Sequence, residues 1–394
     1  MKILGLMAFF FAGPLTAQLL IVDANNGPGT NYTSLVVAAA SAPDGATLLV
    51  RPGGYVGDVL VAAKGLAILG GAGVQIVQGS IRVVNTLPTQ RTLVRGFVIG
   101  TAMFNFYGAI SVSGCQGRVV FEQVTASPPW NTNGPRGLNV SGSTHVELRN
   151  CTIDSGAAVG TGLFVAEAST IRGRSAIWPS LQGNAYATPG LSVGSGSNVH
   201  LMQCVVRGGS GMCPLACLGG QVPAAPYENQ PAMVLFGGTV TVRGQSSLVG
   251  GAMTVQEAAV TGTGSLRLAP SVTLAGAVTS TPAAVVLTMP DVRSSSAPLG
   301  GSITATANGV AGDVLVLVLG LPGPELVLPG AQDSLWIEPA GHLWAALGVA
   351  PPLTASVAVP SLQSLLGVEL AWQAVAFSPV NGFAVSQPSI AFVY

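Results

Sequence analysis

Glu147, Arg172 and His200 are a carboxylate, a guanidinium and an imidazole spaced 25 and 28 residues apart. Side by side they could form a proton-transfer patch, because histidine titrates near neutral pH, a carboxylate accepts protons and an arginine holds anions. Arg149 and Arg174 follow two residues after the first pair and would extend the patch into an anion-binding strip for acidic sugars. The plainer reading is a salt-bridged outer ladder that keeps a face soluble and in register, since surface ion pairs are common and individually weak. A second set lies in loops: Trp130, Asn131 and Asn133 within 127–134, Tyr186 within 178–189 and Tyr227 within 208–231. Rings stack on sugars and amides bond their hydroxyls, so this shelf suits carbohydrate. The plainer reading is that such rings pin their own loops, and Trp178 falls at an inward position and reads as core.

Positioning either set requires a repeat. Segments starting at Gly137, Gly162, Gly190 and Pro231 align without gaps. Leu138, Leu163, Leu191 and Ala232 form one apolar column, Val140, Val165, Val193 and Val234 a second, and Val146, Ile171, Val199 and Val240 a third. Alternation along each strand gives one buried face, and Gly/Ser/Thr runs supply the bends. Glu147, Arg172 and His200, then Thr241, share one outward column; Arg149 and Arg174 share another. Asn150, Ser175 and Gln203 take one turn position, beside Cys151, Ala176 and Cys204. Looser rungs fall at 110–125, 80–99 and 253–278. The intervals of 25, 28 and 41 residues place the variation in one loop of a β-solenoid.

The N-terminal end carries the most specific pattern. Val22-Asp23-Ala24 reads as a strand, and Leu35 to Ala42 as a helix. Asp44-Gly45, Leu48, Val50, Pro52-Gly53 and Tyr55 then follow in the order D-G-x-x-L-x-V-x-P-G-x-Y. This resembles the entry of the pectin-lyase-like β-helix superfamily. The resemblance implies a right-handed parallel β-helix whose open end is plugged by a short helix, covering core and unpaired edges. It also raises polysaccharide lyases and glycoside hydrolases. The paired carboxylates of a hydrolase and the calcium-holding acidic cluster of a lyase are missing from the sequence, so no catalytic residue of that superfamily carries over.

Near residue 282 rung-like spacing gives way to short runs at 300–306, 313–319, 335–339, 353–359, 370–377 and 389–393, the pattern of an antiparallel β-sandwich. Its stretch Leu366 to Ala374 is similar to modules that close many exported bacterial proteins, which implies docking or secretion handling.

Composition frames these readings. Charged residues are 8% of 394 and formal net charge is zero, so nothing attracts nucleic acid. Lys2, the apolar run 3–12 and Leu15-Thr16-Ala17 read as a signal peptide; after its removal no segment spans a bilayer. Cys213 and Cys217 are spaced for a disulfide or two inert thiols, while Cys115, Cys151 and Cys204 have no evident partner; Cys151 and Cys204, two rungs apart, read as core thiols. No metal-ligand spacing joins His145, His200 and His342, and no cofactor is expected. Gly190-Leu191-Ser192-Val193-Gly194 lacks a strand-to-helix elbow, and Gly70-Gly71-Ala72-Gly73 precedes no helix.

The expectation is therefore an all-β chain: signal peptide 1–17, β-helix 18–281 with a capping helix, and a small antiparallel β-sandwich 282–394. It is secreted or cell-surface, non-catalytic, and structural or polysaccharide-binding; the alternative is a lyase or hydrolase using the Glu147/Arg172/His200 face.

Overall fold

The computed structural model describes residues 18–394 other than 101–107, 127–136, 144–145, 150, 154–162, 167–169, 175–176, 179–188, 203, 210–228, 244–245, 253–255, 270–271, 282, 287–289, 327, 330, 332–334, 339–341, 350–351, 363–364, 366–367, 380–381, 387 and 394. Trp130, Asn131, Asn133, Tyr186, Tyr227, Cys213 and Cys217 lie outside the described residues, as do the turn positions Asn150, Ser175 and Gln203 and the expected signal peptide.

Short Val-, Ile- and Leu-rich strands build three parallel ladders over residues 19–286. The first runs through Leu19–Val22, Thr47–Val50, Ala67–Gly70, Arg91–Arg95, Arg118–Glu122, Val146–Arg149, Thr170–Arg174 and Asn198–Met202. It continues through the second halves of Met233–Arg243 and Val260–Leu268 to Val285–Val286. The second joins Val59–Ala62, Ile81–Val84, Ile110–Ser113, Leu138–Ser141, Leu163–Ala166 and Leu191–Gly194, then the first halves of the same two long strands, and Val278–Thr281. Among the described residues, nine shorter strands, from Gly53–Val56 to Thr273–Ala275, form the third. Strands stack in sequence order, an arrangement compatible with a β-helix.

Alternation decides what is inside. Ile81, Ile110 and Leu138 from the second ladder, Val119, Val146 and Val199 from the first, and Ile99, Ile153 and Val206 from the third meet in one apolar cluster. Burying each such side chain contributes about 1.5–3 kcal/mol. Cys115, Cys151 and Cys204 are buried in that cluster, Cys151 and Cys204 as expected. Burial pushes the Cys151 thiol up to about 11.

One register differs from the gapless alignment. Leu191 pairs with Met233 and Val193 with Leu235, not with Ala232 and Val234, whereas Val199 pairs with Val240 as aligned. The fourth repeat is one residue shorter between these points, so the chain runs on as a single strand, Met233–Arg243. Glycines make the short-cut passable. Gly237 has φ +90°, and a Cβ on Gly238 would sit 2.5 Å from Val193 Cγ1 and 2.6 Å from the Gly194 carbonyl oxygen.

At the start, the helix Leu35–Ser41 packs on Leu19–Val22, Thr47–Val50, Gly53–Val56 and Val59–Ala62, which include the first strand of every ladder. Ser34 caps its N-terminus by accepting from the Val37 amide. Lys64 Nζ donates to the Ala40 and Ala42 carbonyls, each at 2.9 Å, satisfying acceptors that a helix end leaves open. The D-G-x-x-L-x-V-x-P-G-x-Y residues acquire individual roles here. Asp44 accepts from the Gly65 amide at 2.6 Å, Leu48 and Val50 are core, and the Tyr55 hydroxyl lies 2.9 Å from the Arg51 carbonyl oxygen. Asp23 is not in a strand; its carboxylate caps a turn by accepting from the Asn25 and Gly27 amides and from Arg51.

Beyond residue 290 pairing becomes antiparallel. Asp291–Ser294, Ser302–Asn308 and Leu353–Ala358 form one sheet. Leu343–Val349, Val314–Gly320, Glu369–Ser378, Gly382–Val385 and Ser389–Phe392 form another. A core including Ile303, Ala305, Leu315, Leu317, Trp372 and Ala374 draws on both. The opposite face of the larger sheet carries a second cluster around Val316, Val318, Val375 and Val385. Leu343–Val349 has no apolar/polar alternation, which is why the sequence pattern does not reveal it as a strand.

Candidate functional site

The parallel pairing brings the chemistry-bearing residues into rows. Glu147 pairs with Arg172, Arg172 with His200, and His200 with Thr241. Arg149 pairs with Arg174, Arg174 with Met202, and Met202 with Arg243. Val146 and Leu148 point into the core, so Glu147 and Arg149 face away from it. For Arg172 and Arg174 the structure describes the backbone register and not the side chains.

The outward face is not a solvent-facing ladder. Glu147 is 2% exposed, Arg149 4% and His200 5%. The antiparallel part of the chain covers them. Glu369, from the strand Glu369–Ser378, receives Arg149 Nη1 on Oε1 at 2.8 Å and Arg149 Nη2 on Oε2 at 3.0 Å. Arg118 Nη2 reaches the same Glu369 Oε2 at 2.8 Å and Glu147 Oε2 at 2.9 Å. Arg149 Nε closes the cluster on Glu147 Oε1 at 2.9 Å. Both oxygens of Glu147 thus accept from guanidiniums, and so do both oxygens of Glu369.

The electrostatics follow from that geometry. Burial alone would lower the Arg149 pKa, but Glu147 and Glu369 outweigh it and raise it. Burial would raise Glu369; Arg118 and Arg149 outweigh that and hold it below the usual carboxylate range. A carboxylate held ionised by two arginines is a poor general base, because taking a proton would break the pairs. Two strand spacings, about 10 Å, separate the backbones of Glu147 and His200.

Two more contacts lie on this face. The His200 ring packs edge-on to Trp336, with centroids 5.2 Å apart at 82°. Trp336 is held in turn by its backbone amide on Gln373 Oε1 at 2.6 Å, and Gln373 Nε2 donates to the Ser386 carbonyl. At the far end of the second row, buried Arg243 donates from Nη1 to the Val385 carbonyl at 3.2 Å. Burial drives the Arg243 pKa down to about 9, which still leaves the guanidinium charged at neutral pH.

Sequence reasoning found Glu147, Arg149 and His200 and missed Arg118, Arg243, Trp336 and Glu369. One signal for Glu369 was available: it is the sole Asp, Glu, Lys or Arg after Glu338. A lone charge in so apolar a stretch needs a partner. Away from this face, a shallow hollow of about 520 Å³ is lined by Leu69, Gly71, Arg95, Val98, Gln123 and Thr125, among others. Among the described residues, no three His, Cys, Asp or Glu side chains are grouped to hold a metal ion. No protein-family model matches this chain, and no curated protein matches it.

Proposed function

We propose that this chain is an exported, non-catalytic right-handed parallel β-helix of the pectin-lyase-like kind, serving as a structural or carbohydrate-binding platform. In this reading residues 1–17 are a signal peptide, 18–281 the coil, and Leu35–Ser41 the cap of its open end. Residues 282–394 are a β-sandwich module docked on the coil. One observation carries the non-catalytic assignment: Glu147 is buried with both oxygens engaged by Arg118 and Arg149 beneath Glu369. The face with catalytic residue types is thereby used to seat the chain's own C-terminal part. The hollow beside Arg95, Gln123 and Thr125 supports the carbohydrate option, since it sets donors next to the apolar Leu69 and Val98.

The test is a panel of acidic and plant-type polysaccharides assayed on the full chain for retention and for unsaturated or reducing-end products. Retention or no interaction, with no cleavage, is the expected result. Products that disappear in folded Arg172→Ala would instead establish a lyase or hydrolase.

A further inference from the structure

Between the first and third ladders the chain turns a corner, and one such corner is longer than the two that follow it. Gly71, Ala72 and Gly73 separate Ala67–Gly70 from Val74–Gln78, whereas Gly96 and Phe97 alone make the next corner and Gln123 and Val124 the one after. The hollow of about 520 Å³ opens across these three corners, within the roughly 300–1,000 Å³ typical of small-molecule sites. The run Gly70-Gly71-Ala72-Gly73, which makes no dinucleotide site, is thus one wall of a cavity.

Three observations characterise the wall. Arg95 pairs in register with Glu122 on the next strand, yet no ion pair joins the two, and Glu122 is buried and outside the lining. Arg95 Nε lies instead 3.5 Å from Gln123 Oε1; among the described residues neither Nη has a partner, which leaves an exposed guanidinium available at the rim. Gln123 has φ +53°, where Gly96 at the preceding corner has +76°, so a side chain is kept in a conformation that favours glycine, and it lines the hollow. The amides of Gly71, Ala72 and Gly73 meet no acceptor among the described residues. Beside these donors lie Thr125 and the apolar Leu69 and Val98.

We propose that this corner hollow is a binding site for a carboxylate-bearing sugar, one uronic acid unit with its neighbour in a saccharide. The proposal rests on the platform reading above and gives that platform a site and a ligand charge. The free fork of Arg95 matches a carboxylate, which takes two parallel hydrogen bonds from a guanidinium. Leu69 and Val98 offer an apolar surface to the C–H face of a ring, while Gln123, Thr125 and the unpaired amides serve its hydroxyls. Arg149 and Arg243, in the arginine row of the first ladder, are buried; Arg95 is exposed beside a cavity. Gly71 supplies the means to close it: a Cβ there meets nothing within 4 Å, and its φ is outside the left-handed region, so a side chain enters open space without strain.

Calorimetric titration of the full chain with cellobiouronic acid and with cellobiose tests this, since the two differ only by a carboxylate in place of a hydroxymethyl group. The acid is expected to bind at least about tenfold more tightly than cellobiose, and Arg95→Ala to remove that preference. Gly71→Phe should abolish binding of both sugars, with unchanged circular dichroism. Arg207→Ala removes another exposed arginine, four strands along the third ladder, and should change nothing. Either of the two hollow variants suffices if the other misfolds. No binding of the acid, equal binding of both sugars, or binding indifferent to Arg95→Ala and Gly71→Phe overturns the proposal, as does an equal loss in Arg207→Ala. Polysaccharide retention that survives both hollow variants overturns this site and leaves the platform standing, whereas cleavage products strike the non-catalytic reading and leave these titrations to decide the site.

Discussion

The parallel ladders and the antiparallel sheets solve the same problem in different ways. In the ladders each strand meets its equivalent one repeat away, so like residues stack and the core is columns of Val, Leu and Ile with buried thiols between them. In the antiparallel part no repeat exists; Thr306 and Thr354, 48 residues apart in sequence, pair across one sheet, and the core is filled by Trp372 with alanines and leucines around it. The first is stabilised by repetition, the second by a few large side chains. Their junction is different again: arginines and glutamates paired out of solvent, an imidazole against an indole, and a backbone carbonyl receiving an arginine. The difference teaches that charge on a repeat protein's outer face need not mark a surface or an active site.

The strongest way to probe this contrast is to hollow out each core. Phe121 in the stack and Trp372 in the sheets are fully buried, and Phe121→Ala and Trp372→Ala should each cost about 3–5 kcal/mol in denaturant unfolding. If the junction couples the two parts, both variants lower one common calorimetric transition. Two transitions moving independently would show that the parts unfold separately.

Next comes the junction. Glu369→Ala leaves two buried guanidiniums short of a partner and is expected to cost about 3 kcal/mol and to split the transition in two. Replacing Arg118, Glu147, Arg149 and Glu369 together by apolar residues of similar size should recover much of that loss, because desolvation is removed along with attraction. A combined variant no more stable than Glu369→Ala would show that the charges do more than seat the sheets.

Acid offers a milder perturbation. The Glu369 pKa is lower in the folded chain than in the unfolded one, so its contribution is fully present above the unfolded carboxylate range and is lost as pH falls through the folded value. Thermal stability should therefore hold from neutral pH to about 5 and decline below roughly 4.5. A loss of the junction already at pH 6 to 7 would point to histidine instead. The smallest effect concerns the thiols. Cys151 is buried and its pKa is raised to about 11, so thiol reagents at pH 8 should leave it unlabelled until the chain unfolds.

Much of the parallel part was legible in the amino-acid order. A repeat with period-two alternation determines which residues face inward and which strands are neighbours. Leu138, Leu163 and Leu191, or Glu147, Arg172 and His200, therefore align on paper as they do in space. Legibility failed where a repeat lost a residue, at Gly237 and Gly238, because a gapless alignment cannot tell a shortened turn from a shifted strand. The strand Leu343–Val349 escaped for want of alternation.

What sequence alone determined, then, was the rows: which side chains share a face of the stack, because pairing of parallel repeats is local to each repeat and its neighbour. What the rows face was decided by tertiary structure. Glu369 lies 220 residues from Arg149 and 251 from Arg118, and no periodicity links positions so distant. Only the packing of the antiparallel sheets on the stack turns an outward ion ladder into a buried joint, because a lone carboxylate in an apolar strand is stable there only opposite the arginines that the repeat had already lined up.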